Sequence, residues 1–566
     1  MKRLILPMLA IALIAATALS SAAQENKAAD GAKPVAVLSI ASYDRIMADV
    51  AMFGNLAGNP DLDKNLEGML KLFTQGQGLA GLDQTRPWCI SLTTDDVSFQ
   101  PLVYLPVDDL KKLLEALAGL VGDAEDAGDG LYGLNVFGQP IMAKQKDKWA
   151  IIGQTAEAVN GAPSDPTKLL AGLETSYDVA IRLYVQNIPE VYRSMAIDQL
   201  RAGVESGLGR MPDESDADYE TRKKITEKQL DALTSAINDV DQITLGAAVD
   251  TTAKTAHIDL SFSAVAGSES AKQLSQMKAT PSDFAGFLDP EAAASLNITT
   301  EIAKDSSGQI AAALSTIRSS AMDHVDKSDK LTDEGSKQLA KEMLGEVFDA
   351  LQGTLESGKI DAAATLQVSD KSMALVVGAY VADPQALESA LKKFSKLAEK
   401  EPNFPTIKFD ADSHEGVRFH TASIPVPQDK GIAKVLGEKL DVAVGIGAKS
   451  VYLALGTDSL KLTKSLIDKS KAQAGKELPP FQLNVSLAPI FEFAAAMQSE
   501  EDRKNVMAMA EALAKSDGKD KVRLVFMPQK DSMLIRLEAE EGVLRLLANA
   551  GKMLSAAGGA GFPGAP

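Results

Sequence analysis

Pro101-Leu-Val-Tyr-Leu-Pro-Val-Asp-Asp-Leu-Lys-Lys-Leu-Leu-Glu-Ala-Leu117 reads as a strand running into an amphipathic helix, with Leu110, Leu113, Leu114 and Leu117 spaced to share one helical face. The pattern returns at Ala374-Leu-Val-Val-Gly-Ala-Tyr-Val381 followed by Asp383-Pro-Gln-Ala-Leu-Glu-Ser-Ala-Leu-Lys-Lys-Phe394, where Leu387, Leu391 and Phe394 repeat the stripe. Asp383 ahead of Pro384 marks a helix start, because the carboxylate can accept from free amides and proline has the φ of a first helical residue. Two more pairs follow in the same order. Lys148-Trp-Ala-Ile-Ile-Gly-Gln-Thr155 matches Ser450-Val-Tyr-Leu-Ala-Leu-Gly-Thr457, and Val179-Ala-Ile-Arg-Leu-Tyr-Val-Gln-Asn-Ile188 matches Phe481-Gln-Leu-Asn-Val-Ser-Leu-Ala-Pro-Ile490. A two-strand segment ends each series, Ile243 to Val249 with Ala256 to Phe262, then Val522 to Met527 with Met533 to Leu537. A collinear series of four matches is the signature of a tandem duplication.

The expected fold class is therefore α+β, as two homologous tandem halves over 34–275 and 290–553 joined by a linker at 276–289. Each half is expected to contain largely antiparallel strands packed against amphipathic helices and helical hairpins. Each opens with a strand (Val35 to Ile40; Leu296 to Ile302), a helical hairpin and another strand (Trp88 to Thr93; Ile360 to Val368). In the second half Leu339, Met343, Val347, Leu351 and Leu355 recur at helical spacing beside Leu344 and Phe348, with Thr332 placed to cap the start. In the first half the long excursion lies between Pro189 and Asn238, with the charged stretch Asp213 to Asp218 between two helices. Along Ala256 to Phe262 alternation puts Ala256, Ile258, Leu260 and Phe262 inside and His257, Asp259 and Ser261 outside. Residues 554–566, rich in Gly, Ala and Pro, have too little to bury and are expected to be a disordered tail.

The N-terminus is expected to be a cleavable signal peptide over 1–23: Lys2 and Arg3, an apolar run from Leu4 to Leu19, then Ser20-Ser-Ala-Ala23. The run of about 16 residues, broken by Pro7, is short for a bilayer span. No cysteine follows it to carry a lipid, since Cys89 is the single cysteine of the chain. The expected product is thus soluble and exported, periplasmic or extracellular, with no transmembrane segment after cleavage and no internal disulfide. The formal charge of −19 becomes more negative once Lys2 and Arg3 are lost, which disfavours nucleic acid as a partner. With 45% hydrophobic, 24% charged and only 5% aromatic residues, the core must be built from aliphatic side chains.

No catalytic, cofactor-binding or metal residue is assigned from the sequence, and no cofactor is expected. Gly76-Gln-Gly-Leu-Ala-Gly81 spells a dinucleotide fingerprint but follows a helical stretch, Asn65 to Phe73, where the fingerprint needs a strand. His257, His324, His414 and His420 do not form a metal-ligand spacing. Asp410-Ala-Asp-Ser-His-Glu-Gly416 begins like a calcium loop but has Glu415 at the turn position and no closing acid; it reads instead as a hairpin turn, with His414 near the turn and His420 on the second strand. Ser516-Asp-Gly-Lys519 lacks its partner motifs. Asn297-Ile-Thr299 is a formal glycosylation acceptor inside a strand, and Cys89, in the apolar run Trp88 to Leu92, reads as core.

Val35-Ala-Val-Leu-Ser-Ile-Ala-Ser-Tyr-Asp-Arg-Ile-Met-Ala-Asp-Val50 and Phe284-Ala-Gly-Phe-Leu-Asp-Pro290 resemble segments of exported, internally duplicated bacterial proteins with no assigned activity. The resemblance implies an envelope location and carries no functional residues across. Three functions are in view: a non-enzymatic exported protein acting through protein or cell-envelope contacts, a carrier of an apolar ligand such as a lipid, and a hydrolase with a dispersed site. For the carrier, Met343, Leu344, Val347 and Phe348 are the groove candidates, with ordinary core as the competing reading.

Overall fold

A computed structural model of the chain describes residues 32–136, 138–210, 214–302, 304–328, 333–399, 405–426, 438–498 and 500–557. The expected signal peptide 1–23, Thr332, Asp213 and residues 558–566 lie outside the described residues. The chain is mixed helix and strand and forms two compact units, one up to Lys272 and the other over Gln273–Ala550.

The strands of the first unit are β1 (Lys33–Ile40), β2 (Trp88–Thr94), β3 (Phe99–Pro106), β4 (Glu125–Gly128), β5 (Leu131–Val136), β6 (Gln139–Lys146), β7 (Trp149–Gly153), β8 (Val179–Tyr184), β9 (Val240–Asp250) and β10 (Thr255–Ala264). They pair antiparallel throughout in the order β4-β5-β6-β7-β3-β2-β1-β8-β9-β10. Core forms on both faces. On one, Ile90, Val103 and Leu105 meet Leu110, Leu113, Leu114 and Leu117 of the helix Leu110–Val121, the stripe expected from the sequence. On the other, Cys89, Tyr104, Trp149 and Ile151 meet Val159, Leu170 and Leu173. Cys89 is fully buried, and burial pushes its thiol up to about 12, which leaves it unreactive filler.

The second unit holds β11 (Thr280–Pro281), β12 (Ala294–Glu301), β13 (Lys359–Val368), β14 (Met373–Tyr380), β15 (Lys408–His414), β16 (Val417–Pro425), β17 (Lys439–Ile446), β18 (Ser450–Gly456), β19 (Glu477–Leu478), β20 (Phe481–Ser486), β21 (Lys521–Gln529) and β22 (Ser532–Ala539). Apart from the small β11/β19 pair, the order is β15-β16-β17-β18-β14-β13-β12-β20-β21-β22, again antiparallel throughout. Strand for strand, this is the order of the first unit. Its buried cluster lies on one face, where Phe284, Phe287, Val376, Phe419, Tyr452 and Ala454 meet Leu466 and Ile467 of the helix Ser459–Ala472. Phe284 and Phe287 come from 276–289, so the stretch read as a linker is packed into this core.

Four sequence expectations are corrected. Along β10 the alternation holds with the faces reversed: Ile258 is 50% exposed and Leu260 39%, while Asp259 is 1% exposed. Asp259 is drawn in because Tyr177 Oη donates to it at 3.0 Å. The helix Glu334–Glu356 starts at Asp333, whose carboxylate accepts from Ser336 N at 2.8 Å. In the helix Pro384–Ala398 the buried positions are Pro384, Glu388, Ala390 and Ala398, while Phe394 is exposed. The helix Glu541–Ala557 takes in 554–557 of the expected tail. Among the described residues no helix is long and apolar enough to cross a membrane.

Candidate functional site

Two landmarks allow the units to be compared residue by residue. Asp109 and Asp383 each cap a helix, accepting from Lys112 N at 3.1 Å and from Gln385 N at 3.1 Å. Counting from the caps, Leu114 corresponds to Glu388. The hairpins β4–β5 and β15–β16 turn through Asp129-Gly130 and Glu415-Gly416, all four with positive φ, the two-residue turn that suits the twist of paired strands. Counting from those glycines, Tyr132 and Leu134 correspond to Arg418 and His420. Leu114, Leu134 and Tyr132 belong to the apolar core of the first unit. Glu388, His420 and Arg418 make a charged cluster at the same places in the second.

The Arg418 guanidinium donates through both terminal nitrogens to the Glu388 carboxylate, and one of them also reaches Asp410 Oδ1 at 3.0 Å. Lys392 Nζ lies 2.7 Å from Glu388 Oε1. Burial alone would raise the Glu388 carboxyl, but the hydrogen bonds from Arg418 and Lys392 outweigh it and hold the group below its ordinary range. His420 is fully buried. Its Nδ1 accepts the Asp410 backbone N–H at 3.0 Å, so the neutral ring carries its proton on Nε2, 3.7 Å from Glu388 Oε1. Burial holds the imidazole below its ordinary value; Glu388 and Asp410 pull the other way without restoring it.

Glu388, Asp410 and His420 bring three ligand-type atoms within 4.8 Å of one another. The arrangement does not suit a metal. The one lone pair of the neutral ring is committed to the Asp410 amide, and the seat between the carboxylates is filled by a guanidinium. Nor does it suit acid–base catalysis, since His420 offers no exposed atom to a substrate. Its consequence is mechanical: Glu388 is anchored to β15 and β16, and Leu387 and Leu391 beside it are only half-buried.

One transverse row in the second unit runs Leu453, Val377, Ala364, Leu296, Leu483, Leu524, Leu537, one residue from each of seven neighbouring strands. All seven are apolar and none is buried; Leu453 is 39% and Leu537 42% exposed. The adjacent row on the opposite face runs Ala454, Val376, Thr365, Ser295, Asn484, Arg523, Glu538, and its first four residues are buried. In the first unit the row Ile152, Val103, Ile90, Leu38, Ile181, Leu245, Leu260 is also wholly apolar. There Val103 and Ile90 are closed over by the helix Leu110–Val121, and exposure begins only at Ile181. In the second unit the five residues between the exposed ends, Val377 to Leu524, are half-buried, so the row is only partly covered at Val377 and Ala364, where the first unit buries Val103 and Ile90.

The other singled-out residues serve local structure. Gly76, Gly78 and Gly81 all have positive φ in the loop after the helix Leu62–Phe73, as expected of a helix end. His414 binds Asp468 at 2.7 Å, and His324 Nδ1 lies 2.9 Å from Ser320 O on its own helix. Ser516 gives its hydroxyl to Leu513 O at 2.5 Å in a turn. Asn297 lies fully buried in β12, closed to glycosylation once folded. Of the groove candidates, Phe348 is buried, while Met343, Leu344 and Val347 are half-buried. Sequence reasoning passed over Asp49. Burial, with the negative charge of Asp178, pushes its carboxyl up to about 7 against the pull of Arg45. A charged residue on the apolar side of the helix Tyr43–Leu56 was the available signal. Comparison with protein-family models, with curated proteins and with solved structures gives no match.

Proposed function

We propose that this is an exported, non-enzymatic binding protein of the cell envelope, built as two homologous halves, and that its second half holds an apolar ligand of the lipid class. The observation that carries the reading is the seven-strand apolar row from Leu453 to Leu537, none of it buried. Its ends are exposed and its five middle residues half-buried, and each Å² of apolar surface so left to water costs about 25 cal/mol, a cost that a bound acyl chain removes. The charged cluster supports the same reading, because it replaces the leucines that close the corresponding face of the first unit. The identical strand order of the two units, together with the matched caps and hairpin turns, supports the duplication. The basic and apolar N-terminus supports export.

The test is to strip the mature protein of lipid and titrate it with a fluorescent fatty acid. Saturable binding near one equivalent, displaced by unlabelled fatty acid and weakened at least tenfold by Leu296→Asp with Leu483→Asp, is the expected result. Probe emission that never saturates, or that is unchanged in the double variant, rules the reading out.

A further inference from the structure

The face of the second unit opposite the apolar row holds a cleft of about 310 Å³, floored by Gln482, Asn484 and Ser486 of β20 and walled by Lys476, Lys521 and Arg523. In a chain with 77 acidic residues against 58 basic ones, most cations are expected to find a carboxylate. These three do not. Lys476 Nζ donates to Gln473 Oε1 at 3.0 Å, Lys521 Nζ to the Pro290 carbonyl at 3.0 Å, and Arg523 Nε to Asn484 Oδ1 at 3.3 Å. Among the described residues none of the three forms an ion pair within 4.0 Å. Two of the three acids that line the cleft are otherwise engaged: Asp289 pairs with Lys469 at 2.8 Å, and Glu540 accepts the Lys521 backbone amide at 3.0 Å. Asn484 is itself fixed, donating through Nδ2 to the buried Ser295 at 3.1 Å, so the guanidinium rests on a built polar floor.

We infer that this cleft is a binding site for a small oxyanion, a carboxylate or phosphate group, gripped by the Arg523 guanidinium and the Lys521 and Lys476 ammonium groups. Neutral oxygens hold the three cations in place without cancelling their charge, which leaves the terminal guanidinium nitrogens to meet two oxygens of one planar or tetrahedral anion. At about 310 Å³ the cleft is at the small end of the range for small-molecule sites. Three carboxylates, Asp289, Glu538 and Glu540, share the cleft lining, and Glu538, directly opposite Arg523 in the sheet, competes with the ligand for that guanidinium.

The mature chain is titrated by calorimetry with inorganic phosphate and with succinate, and mixed with phosphatidylglycerol vesicles in a sedimentation assay. Saturable heat with either free anion, or anion-dependent capture by the vesicles, is expected; the first identifies a free metabolite as the source and the second a lipid headgroup. Arg523→Gln and Lys521→Gln should each weaken binding about tenfold, Glu538→Gln should strengthen it several-fold, and Lys64→Gln, an exposed residue that does not line the cleft, should leave it unchanged. Circular dichroism checks that the variants fold. Absence of binding in all three assays, or equal weakening by Lys64→Gln, overturns the assignment. Because Leu296 and Leu483 lie on the opposite face, failure of fatty-acid binding leaves this result unaffected, and the converse holds.

Discussion

The backbone N–H of Asp410 donates to Nδ1 of His420 at 3.0 Å, and that bond fixes the buried ring as the Nε2–H tautomer facing Glu388. Adding a second proton would break the bond and place a cation in a buried site already facing Arg418 and Lys392. Unfolded His420 takes up its proton near 6.5, the folded ring only at lower pH, so the unfolded state binds more protons between the two values. Stability from this group is therefore complete above about pH 6.5 and is lost on acidification through that window. Glu388, held low, adds a further loss as pH falls from its unfolded value near 4.5 through its depressed folded one. His420→Leu should change the slope of melting temperature between pH 7 and pH 5, the variant gaining on the wild type as the pH falls. An unchanged slope in the variant would show that the ring is not the titrating group.

The comparison between units gives a sharper test of the same cluster. Arg418→Ala leaves the buried Glu388 with Lys392 as its remaining cation and should cost roughly 2 kcal/mol, below the range for breaking a fully buried pair because Arg418 is part-exposed. The triple change Glu388→Leu, Arg418→Tyr, His420→Leu restores the side chains found at Leu114, Tyr132 and Leu134 and should recover most of that loss. Urea midpoints for the three proteins decide the matter. A triple variant less stable than Arg418→Ala would mean that the cap and turn landmarks do not align equivalent positions.

Much of the frame could be read from residues alone, and the reason is local. The cap at Asp383, the strand-to-helix passages and the two-strand endings are written in short-range patterns that need no knowledge of partners. The hairpins β4–β5 and β5–β6 were missed because their residues alternate weakly, with exposed glycines and acids at β4. Face assignment failed for β10 for a different cause. Alternation tells which residues share a face but not which face is covered, and Tyr177 decides that from 82 residues away. Glu388 was invisible in the same way, since one acid in a leucine stripe becomes meaningful only once Arg418 is brought beside it.

Gly246 shows how tightly that Tyr177 contact is built. It lies opposite Asp259 in the sheet, and a Cβ there would stand 2.5 to 2.7 Å from the Tyr177 ring. Gly246→Ala should push the ring off the strand, leave Asp259 without its hydroxyl donor and cost about 1 to 3 kcal/mol. Tyr177→Phe removes the hydrogen bond and spares the packing, so it should cost less, about 1 kcal/mol. Denaturant unfolding of both variants checks the order, and the reverse order would mean that packing against Gly246 is not tight.

Asp49 should act on stability with the opposite sign to His420. Its folded value near 7 lies above the unfolded 3.8, so the folded state binds the extra proton. The stabilisation is complete below about pH 3.8 and is lost as pH rises through about 7. Asp49→Asn mimics the protonated form without its charge and should raise the melting temperature more at pH 8.5 than at pH 5, the gain shrinking towards pH 3.8. The two-point comparison separates this from general repacking, which would shift both temperatures alike. Between the depressed folded value of His420 and pH 6.5 the two residues act in opposite directions and offset one another, so each limb is exposed only when the other residue is replaced. Asp49→Asn should leave the loss of stability on acidification that belongs to His420, and His420→Leu should leave the gain on acidification that belongs to Asp49; a variant with the other's slope would mean that the limb is misassigned.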